Sequence, residues 1–512
     1  MINNLDFISL PTIFFILLTF SVLSSLILLY PRIPVSFVRF HVGVIILPPI
    51  VALFALVFNN ERSMFGPWRL DSLSWLLALF VLTIGFIVQR YSVRYLFGDR
   101  NYRKYFALLT LTTVFDSVAW MSDDLRFLLI CWGATLMGLT LLIGLKKEWR
   151  VARKAASLSG LLFAFSWLSL LFAIIWLSQA TGHWRLLLIL TEDSLAQLGS
   201  WEKTCINLLL IGAVVIPAAQ WPLQRWLLES VVAPTPISAV MHAGIVNAGG
   251  IILTCFAPLF SGNIAQIILL VLSSISVLIG TGIMLVQVDY KRQLVGSTIA
   301  QMGFMLIQCA LGAYVAAITH AVLHGLFKST LFLRSGSVIT TKKSISKRST
   351  QSPTFLWVIA GGVLGTLIGI AFWLTSHGEV YQLISAVILG WSVSIAWTQL
   401  MAYGKGPISR LIGFLLFAGA SIVFSVIHNA FYNLLHGVVN QGVEPPISVA
   451  IWLLFVLLLG HILGAWLARN RSSVAYAVIY LWLLRLSEPQ NDSVESHPKY
   501  LTQSLHSRRY IQ

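Results

Sequence analysis

Charge is what this chain has least of. Asp, Glu, Lys and Arg together make up only 10% of its 512 residues, against roughly a quarter in soluble domains, which excludes a soluble globule. Acidic residues are scarcer still, 18 against 34 Lys and Arg, for a net charge of +16. Cysteine is almost absent: Cys131, Cys205, Cys255 and Cys309 stand singly in apolar runs. They lack the paired spacing of a disulfide framework or zinc site and read as small apolar fillers. No basic segment leads into a short apolar run with a small-residue cleavage site, so the first apolar run reads as a retained helix rather than a signal peptide. No polar stretch between the apolar runs is long enough to fold into a separate domain with its own active site.

What the chain has instead is hydrophobic sequence, 57% of its residues. A helix that crosses a bilayer needs about 20 mostly apolar residues, and about fifteen such stretches (13–15) follow one another between residues 8 and 468. The fold class is therefore an all-α integral membrane protein. Most of the basic residues fall in alternate connections, at Arg32 and Arg39, Arg90 to Lys104, Lys146 to Lys154, Lys291 and Arg292, Lys342 to Arg348, Lys405, and Arg469 and Arg471. Positive loops stay cytoplasmic, so the N-terminus is expected outside and the C-terminus inside. Basic residues dispersed in this way argue against nucleic-acid binding. Residues 1–470 read as one membrane domain. The remainder, 471–512, reads as a short interfacial segment followed by a polar cytoplasmic tail. The longest external connection, 181–203, mixes Arg185, Glu192, Asp193, Glu202 and Lys203 and reads as a solvated loop or a docking surface.

The rare charges inside the apolar runs carry the functional signal, because an ionisable group near the bilayer centre costs roughly 2.5–3.5 kcal/mol even on lenient insertion scales. In the eleventh span, His320, His324 and Lys328 recur every four residues, which stacks them on one helical face over about 12 Å. Neutral imidazole accepts a proton at one nitrogen while donating from the other, so this face suits a proton relay. His242 in the eighth span and Asp116 in the fourth are further candidates for one buried ion path. Each alone also fits a hydrogen-bonded packing residue. Asp123, Asp124 and Asp289 sit at membrane ends and read as helix caps or ion-pair partners. Pro217 and Pro222 fall within the seventh span, and Pro234 and Pro236 precede the eighth. Broken helices at membrane depth line polar cavities, although a packed kink would leave the same signature.

Three long segments, QWPLQRWLLESVVAPTPISAVMHAG at 220–244, DYKRQLVGSTIAQMGFM at 289–305 and AAITHAVLHGLFKSTLFLRSGSVI at 316–339, resemble the antiporter-like subunits of respiratory NADH dehydrogenase and of multisubunit sodium/proton antiporters. Weaker likeness in LDSLSW at 70–75 and at 127–145 extends the core to about 70–340. The resemblance implies two inverted repeats with discontinuous helices. It also implies proton or cation transfer along a buried polar axis, with His242, His320, His324 and Lys328 on positions that the family uses. Three positions depart from the family. Gly133 stands after Trp132 where a glutamate is usual, Pro217 stands where a lysine is usual, and residues 354–375 carry no charge where a second lysine should follow.

From helix depth, Asp116 is expected to supply the missing carboxylate and to partner His242 or Lys328. With these departures and about 510 residues, the chain is similar to the DabB-type membrane subunits of inorganic-carbon accumulation complexes. That resemblance implies a DabA-type peripheral zinc partner, expected on the cytoplasmic side, which carries out carbon dioxide hydration. It implies inward flow of protons or sodium ions through this chain, no cofactor and no enzymatic activity of its own, and residence in a bacterial inner membrane. The alternative is a sodium/proton antiporter or a proton-pumping NADH dehydrogenase subunit.

Overall fold

The computed structural model describes residues 9–58, 62–260, 262, 264–335, 355–375, 380–403, 407–440, 442–443 and 445–488. Helix α1 (Leu10–Ile27) is followed by a second span in two pieces, α2 (Phe37–Val44) and α3 (Leu47–Phe58). A short hairpin, β1 (Ser63–Phe65) with β2 (Trp68–Leu70), turns at Gly66 and is the one sheet among the described residues. Then come α4 (Ser72–Tyr95), α5 (Tyr102–Met121), α6 (Leu125–Ile143) and α7 (Arg150–Thr181). Two short helices, α8 (Leu186–Ile189) and α9 (Glu192–Ala196), lead to α10 (Ser200–Val215) and α11 (Arg225–Glu229). The eighth span is built from α12 (Thr235–Ala243), α13 (Ala248–Cys255) and α14 (Ala257–Phe260). Long helices α15 (Ile264–Val286), α16 (Tyr290–Ala310) and α17 (Tyr314–Arg334) complete the central part. The last five are α18 (Phe355–Thr375), α19 (Val380–Tyr403), α20 (Pro407–Leu435), α21 (Ile447–Arg469) and α22 (Val474–Ser487).

The chain is a polytopic membrane protein. Large apolar side chains such as Ile130, Met137, Phe165, Phe172 and Leu285 are exposed on its outside, the reverse of the polar surface a soluble protein keeps. Among the described residues, nine segments are long and apolar enough to cross a membrane by length and composition alone. Others among the expected fifteen are broken, as the seventh is, or carry polar faces, as α5 and α16 do.

Acids at the helix ends act on backbone N–H groups that a helix start leaves unpaired. Asp71 accepts from Ser74 N at 2.9 Å, Asp124 from Arg126 N at 2.9 Å, and Asp289 from Lys291 N at 2.8 Å. Asp123 fixes the connection over 181–203: it accepts from Leu187 N through its carboxylate and from Leu186 N through its carbonyl. Leu186 and Ile189 are buried, so this part of the 181–203 connection packs against the ends of α5 and α6, while most of its other residues stay at least partly exposed. The physical reason is its apolar run LLLI, which gains by burial.

Helix α10 stops at Val215, two residues before Pro217. A proline ring clashes with the carbonyl four residues back and offers it no donor, here Ala213, whose oxygen instead accepts from Ser166 Oγ at 2.6 Å. The freed Ile216 carbonyl accepts from the Trp226 indole at 2.7 Å, and that of Ala218 from the Gln220 amide at 2.7 Å. Trp221–Pro222 is a cis peptide within this break. Pro234 and Pro236 sit at the start of α12, where a missing N–H costs nothing. The eighth span is interrupted further on, at Gly244 and a 3₁₀ turn over Ile245–Asn247. The Asn247 amide spans that gap, donating to Ala243 O at 2.7 Å and to Ala321 O at 3.2 Å. The twelfth span, by contrast, is the unbroken helix α18. Helix α22 packs against α15 and α21, with Gln287 and Ser487 hydrogen-bonded. The tail over 489–512 and the basic cluster Lys342 to Arg348 lie outside the described residues.

Candidate functional site: a buried histidine and lysine row

The site forms where α12, α16 and α17 meet. Close approach of α17 to its neighbours depends on Gly325, where a Cβ would lie 2.5 Å from the Ala243 carbonyl and 2.3 Å from the Phe80 ring. That contact places the end of α12, and with it His242, against the α17 face that carries the ionisable row. His242 is buried, its ring stacks on Phe332 at 4.2 Å, and its Nδ1 lies 3.1 Å from Thr298 Oγ1 on α16. One turn along α16, the buried Lys328 amine donates to Leu294 O and Ser297 Oγ, both at 2.9 Å. His242 and Lys328 thus hold adjacent positions, Thr298 and Ser297, on one helix.

The row continues along α17. His320 Nδ1 lies 3.1 Å from Gln308 Oε1, and the rings of His320 and His324 are 6.0 Å apart. His324 is buried and its Nε2 has no hydrogen-bond partner among the described residues. The three α17 residues line a cavity of about 380 Å³ together with Ser297 and Gln308 of α16 and His428 of α20. Among the described residues, no carboxylate lines it. Ion pairs such as Arg69–Asp71, Arg100–Glu148, Arg126–Asp124, Lys146–Asp99 and Arg225–Glu229 lie in or beside the connections, and Lys328 is in none of these. Among the described residues, the Lys328 amine is therefore held by two neutral oxygens and by no carboxylate.

Asp116 is buried on α5 but is not a hydrogen-bond partner of His242 or Lys328. Its Oδ2 lies 3.8 Å from where a Cβ on Gly244 would stand, and its Oδ1 has no partner. The carboxylate therefore faces the interruption of the eighth span, while His242, two residues earlier, turns to α16. The position after Trp132 is filled from outside: a Cβ on Gly133 would meet Trp167 Nε1 at 2.8 Å, and that indole donates to Leu129 O at 2.9 Å. Among the described residues, no group of three or more His, Cys, Asp or Glu is placed to hold a metal ion.

Residues 122–413 match the family model described as "NADH:quinone oxidoreductase/Mrp antiporter, TM", and residues 67–106 match "NADH-Ubiquinone oxidoreductase (complex I), chain 5 N-terminus". The chain is 59% identical, over 99% of its own length and all of the relative's, to the "Probable inorganic carbon transporter subunit DabB" of Bacillus subtilis (strain 168). The chain belongs to the DabB family. A more distant member, the "Probable inorganic carbon transporter subunit DabB1" of Halothiobacillus neapolitanus, is 31% identical over 74% of this chain and 72% of that one. The fold is shared with a chain of the Mrp complex from Dietzia sp. DQ12-45-1b, with a TM-score of 0.63 at 20% identity, covering 92% of this chain and 59% of that one. The match to the antiporter family model extends to residue 413.

Sequence reasoning missed the α16 partners. Ser297, Gln301 and Gln308 line the cavity, and their spacing of four and seven residues puts them on one helical face, a signal that was present to be read. It also missed His428, a histidine inside the fourteenth span whose cavity neighbours only the tertiary structure supplies. A second buried polar cluster lies apart from the row: His41 meets Ser24 Oγ and Thr110 Oγ1, both at 2.8 Å, with Gln89 at 3.3 Å. Both of its ring nitrogens are engaged, which ties α1, α2, α4 and α5 together.

Proposed function

We propose that this chain is the membrane subunit of an energy-coupled inorganic-carbon uptake complex, and that it conducts protons along His320, His324, Lys328 and His242 to drive a peripheral partner. The observation that carries this reading is the buried amine of Lys328, in line with imidazoles along one cavity and without a counter-ion. The lining groups favour protons: imidazole and amine exchange them, whereas a sodium ion needs several oxygen ligands and is repelled by ammonium. The relatives named as inorganic carbon transporter subunits support the carbon substrate. The partner would be a zinc protein of the carbonic-anhydrase kind that hydrates carbon dioxide to bicarbonate, docked on the basic, cytoplasmic side, with the N-terminus of this chain outside. Asp116, facing the break after α12, would exchange protons with the path at the Gly244 interruption.

The likeness to NADH dehydrogenase subunits favours a second reading, a proton-pumping or antiport subunit. Gly133 and Pro217, which stand in place of a glutamate and a lysine, speak against it. Purification of the tagged chain from native membranes separates the two: a co-purifying zinc protein and proton-dependent carbon uptake are expected. Co-purification of a respiratory complex, or uptake that follows sodium and not protons, overturns the proposal.

A further inference from the structure

Helix α20 packs against α17 and brings His428 to the same cavity as His320, His324 and Lys328. Depth separates these four groups. At 1.5 Å per residue, His320 lies about 9 Å, His324 about 15 Å and Lys328 about 21 Å from the Tyr314 end of α17. On α20, His428 is about 10 Å from the Leu435 end, and Leu435 and Tyr314 lie toward the same membrane face, because Gly442, just past α20, donates its N–H to the Gly312 carbonyl, just before α17, at 3.2 Å. His428 and His320 therefore share one level, in the half of the membrane away from Lys328 and His242. Between Tyr314 and His320, α17 carries only Val, Ala, Ile and Thr, so His320 has no ionisable neighbour on its own helix toward that face. The His428 ring is held between Phe372 at 5.7 Å and Phe424 at 6.1 Å, which leaves it oriented rather than loose. A cavity of about 380 Å³ has room for several waters at about 30 Å³ each, and the unpartnered Nε2 of His324 is a polar end for such a file.

We propose that His428 is the proton-accepting residue at the Tyr314 end of this cavity. A proton binds one nitrogen of its ring from that face, the other nitrogen releases its proton through cavity water to His320 or His324, and the row carries it to Lys328. The C-terminal third of the chain thus supplies a working residue and not only a lipid-facing cover. The inference rests on the proton-conducting reading above.

The test uses the intact complex in proteoliposomes on a supported membrane, with proton current as the readout. His428→Gln keeps hydrogen bonding but not proton exchange and is expected to lower the current at least tenfold, with thermal unfolding unchanged. His428→Ala is expected to fall as far and to regain severalfold current when imidazole is present equally on both sides. Pyrazole, equal in size but far less basic, should not restore it. Wild-type current in His428→Gln, or loss in His428→Ala that imidazole does not restore, overturns the proposal. Lys328→Met, measured in parallel, separates the two levels. If it also conducts normally, the proton-conducting reading fails; if it alone is inactive, only the role of His428 falls.

Discussion

Replacing Lys328 by Arg and by Met distinguishes proton exchange from mere positive charge. The Lys328 amine is 1% exposed and makes two hydrogen bonds, to Leu294 O and Ser297 Oγ. Leu294 O keeps a second donor in either variant, Thr298 Oγ1 at 2.9 Å. The folding cost of Lys328→Met is therefore confined to one orphaned hydroxyl, about 1–2 kcal/mol, offset by relief from burying an unpaired cation. Arg holds its proton at every physiological pH, so Lys328→Arg preserves charge and abolishes exchange. Both variants are expected to lower proton current and carbon uptake at least a hundredfold, equivalent to about 2.7 kcal/mol on the barrier, while thermal unfolding in detergent stays close to wild type. Normal uptake by Lys328→Arg would mean that the residue supplies only a fixed charge. Normal uptake by Lys328→Met would refute any part for it in transport.

Three further outcomes follow from other contacts. Asp116→Asn, which keeps the shape and removes the exchangeable proton, is expected to reduce carbon uptake in correctly inserted protein; wild-type uptake would reduce Asp116 to a packing residue. Gly133→Ala is expected to destabilise by about 1–3 kcal/mol, the usual cost of overpacking, because its Cβ meets the Trp167 indole at 2.8 Å, and a double variant with Trp167→Phe should recover part of the loss in thermal unfolding. Asp124→Ala removes the cap of α6 and should cost about 1 kcal/mol. The Arg126 guanidinium holds the Asp124 carboxyl below its usual value of 3.8. A depressed native value contributes stability that is complete above the unfolded value, so the gap between wild type and variant should be full at pH 7 and close as pH falls below about 3.8. A gap that grows on acidification would contradict the pairing.

Helix starts and stops were legible wherever the signal was local. Aspartates 124 and 289, read as caps, do cap their helices, the apolar runs became helices in sequence order, and the row at 320, 324 and 328 needed only a helical period. Legibility ended where a residue's meaning depends on another helix. The eighth span is interrupted at Gly244 and not at its prolines, since Asn247 can satisfy the freed carbonyls only with α17 alongside. Asp116 turns to the Gly244 break and not to His242 or Lys328, because position along a helix does not set direction around its axis.

By itself, then, the sequence determined that this is a many-helix membrane protein whose scarce buried charges lie on α5, α12 and α17, because hydropathy and period are properties of single segments. Only the tertiary structure decided what those charges face. It gave Lys328 two neutral oxygens of α16 and no carboxylate, filled the place beside Gly133 with Trp167, and brought His428 from a distant helix to the same cavity. These are outcomes of packing between helices, and side-chain contacts across a bundle are set by helix rotation and close approach at residues such as Gly325, which no single apolar run encodes.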